Sequence, residues 1–288
     1  PTPPRCWPSS PSWFSCARQA LALVLLVAVT ERGLAQADTA DRYTQTRTIG
    51  DGVTVTWIRD NAADHTMARS LFVDTPDSVM ARLGLTDGVP ATISTFLVET
   101  GGRIILFDTG YGFPDSRLAD ALRRLGHDPS EIDLVYLTHF HRDHIGGLMH
   151  GDTAAFPHAE VYASRPEYDA WMAMPPDRNA QQVKTMNAYR DRLHLFAFGD
   201  TLPGGVLTID AVGHTPGHTA YRVGRLLIIG DLIHGAALQL ERPEYSTSYD
   251  MDRPAAARTR RRILDYARRE GLVMAGMHLP PPALLPSR

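Results

Sequence analysis

Between residues 138 and 147 the chain reads Thr-His-Phe-His-Arg-Asp-His-Ile-Gly-Gly, and no other segment restricts the possible folds so tightly. His139, His141, Asp143 and His144 place four nitrogen or oxygen donors within six residues. The preceding run, Asp133 to Thr138, is apolar, β-branched and aromatic, and reads as a buried strand. At a strand end, residues two apart point the same way, so His139 and His141 face one cavity. A turn into a helix at Asp143 sends that carboxylate and His144 back toward the same place. This is more than one tetrahedral ion needs if further ligands arrive from elsewhere. Gly146 and Gly147 let the backbone pass close by.

Further donors sit in similar settings. His218 lies in Thr215-Pro216-Gly217-His218-Thr219, a rigid turn just before a strand. Asp231 follows the apolar run Leu226 to Ile229, and His278 ends the apolar run Leu272 to Met277. Each stands where a strand gives way to a loop, the usual place for a site built on a sheet scaffold. A lone histidine is commonly a surface residue or a hydrogen-bonded core residue. Five histidines and two aspartates at strand ends point instead to a metal site.

The rest of the chain is read around that centre. Val53 to Ile58 alternates like a half-buried strand, and Thr92 to Val98 and Ile104 to Asp108 form a hairpin across Gly101-Gly102. Ser116 to Leu125 carries helical spacing closed by Gly126. Val161 to Ala163 is a strand, and Glu167 to Met172 a short helix. Residues 173–192, broken by Pro175-Pro176, read as a polar surface excursion, and 38–50 as an aperiodic lead-in. Strands follow at Val206 to Val212, Ala220 to Val223 and Leu226 to Ile229. Asp252 to Glu270 is the clearest helix, capped by Asp252 and stopped by Gly271. Strands and helices thus recur in two similar halves, roughly 45–190 and 191–288. Two mixed sheets packed face to face, with helices outside, account for that order.

Residues 1–37 have the layout of a signal peptide. Arg5 and Arg18 precede the apolar run Ala20 to Val29, too short to span a bilayer, and Ala35-Gln36-Ala37 offers a small-residue cleavage site. Residues 38–288 then form one domain, periplasmic or secreted and outside the membrane once mature. Cys6 and Cys16, the only cysteines, fall within the leader, so any metal is held by His, Asp or Glu. The net charge is −3 and Lys184 is the only lysine, which leaves no basic surface for nucleic acid.

The constellation resembles the metallo-β-lactamase superfamily over residues of about 50 to 279, through its H-x-H-x-D-H signature. The likeness extends to the methyl parathion hydrolase and acyl-homoserine lactonase-like branches through Gly217-His218-Thr219, Gly230-Asp231-Leu232-Ile233, Ala236 to Gln239, Asp250 and Ala275 to Pro280. The resemblance implies an α+β chain folded as a four-layer αββα sandwich with two divalent metal ions, zinc foremost, at the sheet edge. His139, His141 and His218 would hold the first metal, and Asp143, His144 and His278 the second. Asp231 would bridge them, and Asp143 and Asp231 would carry the catalytic chemistry. Asp108, in an aspartate-threonine-glycine turn, would support the metal loop from behind. Phe113 and Trp171 would wall a substrate pocket, with His234 beside it. The implied reaction is attack of a metal-bridging hydroxide on a small ester, lactone or phosphotriester. A non-catalytic metal-binding module and a di-iron redox protein are the alternatives. Self-association into a homodimer is compatible with all three. Relatives run on in further strand sequence past the last ligand; here only Leu279 to Arg288 follow His278.

Overall fold

The computed structural model describes residues 42–50, 52–112 and 114–286. The expected leader therefore lies outside the described residues. The elements from Tyr43 onward form one compact unit.

Seven strands make the first sheet. They are β1 (Thr44–Gly50), β2 (Val53–Arg59), β3 (Ser94–Thr100), β4 (Arg103–Phe107), β5 (Leu134–Tyr136), β6 (Glu160–Ser164) and β7 (Leu193–Phe196). Each pairs with its sequence neighbour, antiparallel from β1 to β4 and parallel from β4 to β7. The β3–β4 turn is Gly101-Gly102, with φ of 55° and 73°, a left-handed geometry that glycine adopts without cost. Six strands make the second sheet: β8 (Thr201–Leu202), β9 (Val206–Asp210), β10 (Thr219–Val223), β11 (Leu226–Gly230), β12 (Val273–Gly276) and β13 (Leu284–Pro286). They too follow chain order, and only β11–β12 is parallel.

Side-chain alternation divides the interior. Phe96, Val98, Ile105, Phe107, Leu134 and Tyr136 point at the second sheet, where they meet Tyr221, Val223, Ile228 and Met274. Their neighbours Leu97, Leu106, Val135 and Leu137 point the other way. Helices cover that outer face: α1 (Asp77–Arg82) lies apart, but α2 (Leu118–Arg124), α3 (Arg142–Ile145), α4 (Arg165–Met172) and α5 (Pro176–Ala188) lead the chain around the first sheet. Leu118 and Leu122 of α2, Trp171 of α4 and Met186 of α5 join the outer cluster. On the second sheet, α6 (Ala236–Gln239) is one turn, and α7 (Arg253–Glu270) lays Ile263, Leu264 and Ala267 into the central core. Helices, sheet, sheet and helix give the αββα order. Each fully buried Leu, Ile or Phe contributes about 1.5–3 kcal/mol relative to exposure.

Two sequence expectations are corrected. Residues 44–50 are not a lead-in but the edge strand β1, whose threonines suit a pleated surface; Thr46 and Thr56 hydroxyls meet at 2.8 Å. Residues 176–188 are not a loop but α5, with Pro176 at its start, where no backbone N–H is missed. Its inward face is mostly polar, with Asn179, Gln182 and Thr185 buried beside Met186, so apolar periodicity gave no sign of a helix.

Candidate metal centre

The donors gather where both sheets end. After β5 the chain delivers His139 and His141, then turns into α3, whose first turn carries Asp143 and His144. Only glycine fits at the close approaches: a Cβ on Gly146 would lie 2.1 Å from the Tyr111 carbonyl, and one on Gly147 2.0 Å from that of Thr109. The second sheet supplies Asp231 after β11 and His278 after β12.

One set comprises His139, His141, His214 and Asp231, and another Asp143, His144 and His278; within each, the donor atoms lie within 4.8 Å of one another. His141 Nδ1 stands 3.0 Å from both His139 Nε2 and His214 Nε2. Asp231 lies between the sets. Its Oδ2 is 3.3 Å from His214 Nε2 and 3.1 Å from His278 Nε2, while Oδ1 is 3.2 Å from His144 Nε2.

His218 is not brought into this cluster, contrary to the sequence expectation. Its Nδ1 donates to the Ala211 carbonyl at 3.0 Å, and its Nε2 accepts from the Asp231 amide at 3.2 Å. Neither nitrogen is left for a metal. Burial and neighbouring His214 push its pKa down to about 3, so the ring is neutral. His214, four residues earlier, occupies the expected place. The Gly-His-Thr-Pro-Gly-His segment offers two histidines, and spacing alone could not choose between them.

The outer nitrogens of the facing rings are anchored. His278 Nδ1 donates to the Thr92 carbonyl at 2.7 Å, and His214 Nδ1 to Asp250 Oδ1 at 2.9 Å. Asp108 lies behind His144. It accepts from the Thr138 amide at 2.8 Å and from the Thr138 hydroxyl, and its Oδ2 meets His144 Nδ1 at 2.7 Å. A φ of 57° at Asp108 bends the chain to make this possible. Asp250 is itself held by Arg260, which is buried and also donates to the Leu232, Pro243 and Tyr245 carbonyls. With outer nitrogens tethered in this way, the inner ones point at carboxylates.

Those inner contacts fit divalent cations. His144 Nε2 and Asp231 Oδ1 are buried and face each other, yet neither has a hydrogen-bond partner. An all-nitrogen-and-oxygen donor set suits zinc, manganese, cobalt or iron. Burial alone would raise Asp231, but His144 and His278 hold it well below the usual carboxylate range. Burial lowers His144 and His278, but the surrounding carboxylates together outweigh it and raise both: Asp231, Asp108 and Asp143 at His144, and Asp231 and Asp143 at His278.

A cavity of about 290 Å³ opens onto the cluster. Its floor includes His141, Asp143, Asp231 and His278, and its walls Met67, Ile93, Tyr111 and Tyr249. His65 and Arg142 also line it, the Arg142 guanidinium lying 4.9 Å from the Tyr111 ring centre. A larger cleft, about 680 Å³, lies beside α2 and Ala154 to Pro157 but touches no donor of the cluster. The smaller cavity is therefore the one that reaches the donors.

The expected pocket residues fare differently. Trp171 does not line the cavity: it is buried in the outer core, with its Nε1 donating to Glu167 at 2.7 Å and its ring edge-on to His141. His234 is buried behind the floor, its Nε2 3.3 Å from Asp231 Oδ2 and its ring stacked on His278. Phe113 lies outside the described residues. The aromatic walls are Tyr111 and Tyr249, which carried no distinguishing sequence signal.

The fold and this donor cluster together define a two-sheet scaffold that gathers histidine and aspartate donors suited to divalent cations at one edge. The profile of the metallo-β-lactamase superfamily matches residues 88–278, and the chain belongs to that superfamily. Among solved structures it is similar to AbOPH, a hydrolase of the β-lactamase superfamily, at 28% identity and a TM-score of 0.74, covering 84% of this chain and 92% of that one. It shares its fold with AidC, a dizinc quorum-quenching lactonase, at 24% identity and a TM-score of 0.75, with coverages of 84% and 92%. Among curated relatives, a hydroxyacylglutathione hydrolase of Aeromonas salmonicida is 29% identical over 150 residues, 50% of this chain and 49% of its own length. The N-acyl homoserine lactonase AttM of Agrobacterium fabrum is 28% identical over 120 residues, 38% of this chain and 42% of its own. The chain thus spans about half the length, or less, of these curated relatives.

Proposed function

We propose that this chain is a binuclear metal-dependent hydrolase of small esters, lactones or phosphotriesters. His139, His141, His214 and Asp231 hold one ion; Asp143, His144 and His278, with Asp231 shared, hold the other. The observation that carries this reading is the Asp231 carboxylate, with one oxygen turned to His144 and the other to His214 and His278. Two divalent ions held there, zinc foremost, would supply a bridging hydroxide as nucleophile and polarise the oxygen that becomes negative.

The chain's own residues set the geometry for that chemistry. Thr92, Asp108 and Asp250 fix the rings of His278, His144 and His214, so the donors are aimed before an ion arrives. Tyr111 and Tyr249 offer faces against which an acyl or aryl group can lie beside the floor. No serine or cysteine nucleophile is needed.

The test is elemental analysis of the purified protein together with turnover of a lactone, an aryl ester and a phosphotriester after zinc loading. Two metals per chain and hydrolysis of at least one substrate are expected. A folded protein that never exceeds one metal, or hydrolyses none of the three, overturns the proposal.

A further inference from the structure

Glu167 is buried on α4, outside the donor cluster, and has no cationic side chain within ion-pair distance among the described residues. Its two oxygens are nevertheless fully engaged. Oε1 accepts from the Phe140 amide at 2.8 Å and from Trp171 Nε1 at 2.7 Å. Oε2 accepts from the Thr215 hydroxyl at 2.7 Å and from the Gly217 amide at 2.8 Å. Phe140 lies between His139 and His141, and Thr215 follows His214. The carboxylate therefore ties together the two loops that carry all three histidines of one donor set. Among the described residues its carboxylate makes no hydrogen bond to the helix bearing Asp143 and His144 or to the loop bearing His278.

The surroundings reinforce this tie. A Cβ on Gly217 would come 2.1 Å from the Glu167 amide nitrogen, so the His214 loop rests directly on α4. Ser164 Oγ donates to the Gly217 carbonyl at 2.7 Å, and Gln182 of α5 donates to the Phe140 carbonyl at 2.8 Å. The other donor set is tethered separately, by Asp108 at His144 and by the Thr92 carbonyl at His278.

We infer that Glu167 is a positioning residue for one of the two metal sites, the one formed by His139, His141 and His214, and not for the other. The inference rests on the binuclear reading above. Glu167→Gln is the informative change because it keeps the shape. In either amide orientation its NH₂ group faces an N–H that must donate: Phe140 and Trp171 on one side, Gly217 on the other. One loop then loses its anchor.

The experiment measures zinc affinity of metal-stripped full chains against a competing chromophoric chelator in two backgrounds. With His278→Ala only the first site remains, and adding Glu167→Gln should weaken zinc there by about 10–100-fold, the usual range for residues behind metal ligands. With His214→Ala only the second site remains, and the same change should leave its zinc affinity within about threefold. Equal weakening in both backgrounds, or none in the first, overturns the inference. If Glu167→Gln does not fold, Thr215→Val, which removes one of the four donors, is read in the same two backgrounds. One-sided weakening is again required. A parent chain that binds fewer than two zinc ions fails the binuclear reading itself, a separate outcome.

Discussion

The His218 ring accepts a hydrogen bond from the Asp231 backbone amide at 3.2 Å, and so serves the site through the chain rather than through an ion. His214→Ala should therefore cost one metal per chain and nearly all turnover, with zinc affinity at that site falling beyond the ~100-fold typical of residues behind the ligands. His218→Ala should instead lower stability by about 3 kcal/mol, through a cavity and an unpaired Asp231 amide, and still bind two metals. Metal analysis alongside thermal unfolding tells the two apart; a His218→Ala protein with one metal would restore His218 as a ligand.

The shared carboxylate makes its own prediction. Asp231→Asn keeps the shape but removes a negative charge from between two cation sites, and its amide nitrogen is no ligand. Both metals should be held more weakly, and turnover should drop by at least about 100-fold, with the circular dichroism spectrum kept. Turnover at the unmodified level would exclude the bridge.

Proton release tests the electrostatics. Metal-free, burial disfavours a charged His214, but hydrogen bonds to Asp231 and Asp250 raise its pKa to about 9; His144 and His278 are raised as well. At pH 7 the His214 proton thus stands where an ion would bind, and zinc uptake should release it. Affinity should climb with pH until about 9, where His214 loses its proton unaided. The sign for folding is opposite: the stability that His214 gives the metal-free chain is complete below about 6.5 and disappears as pH rises through its folded value. Calorimetry in buffers of different ionisation enthalpy counts the protons. Zinc uptake without release would contradict the assignment.

Substrate preference should follow the tyrosines. Tyr249→Ala should raise KM for aryl esters several-fold, since a ring stacked on an aromatic wall gains about 0.5–1.5 kcal/mol beyond area burial. The turnover number should move little. Trp171→Ala should act elsewhere: about 3–5 kcal/mol of lost stability and weaker zinc binding, because its indole donates to Glu167. A Trp171→Ala protein of full stability with a raised aryl-ester KM would put the indole back on the pocket wall.

What the sequence revealed depended on the kind of signal. His139 to His144 sit in one unbroken stretch, and Asp231 and His278 each end an apolar strand, so their setting is local and readable. His214 and His218 share one loop, and the choice between them is made by the carbonyl of nearby Ala211 and by a carboxylate at Asp250, 36 residues beyond His214. Helix α5 hid because its inner face is hydrogen-bonded rather than apolar. Glu167 hid because an acidic residue on a short helix usually faces solvent, and its four donors come from three separate segments. Tyr111 and Tyr249 are 138 residues apart in sequence and line one cavity only in the folded chain.

Because the strands of each sheet lie side by side in chain order, each sheet can be added strand by strand as the polypeptide emerges. The site enjoys no such advantage. When β7 has left the ribosome the first sheet is complete, yet only His139, His141, Asp143 and His144 have been made. His214, Asp231 and His278 follow with the second sheet, one after another. A nascent chain therefore passes through a stage in which half of a cation trap is exposed and the closing half is unmade, and the order of synthesis sets which ion site can close first.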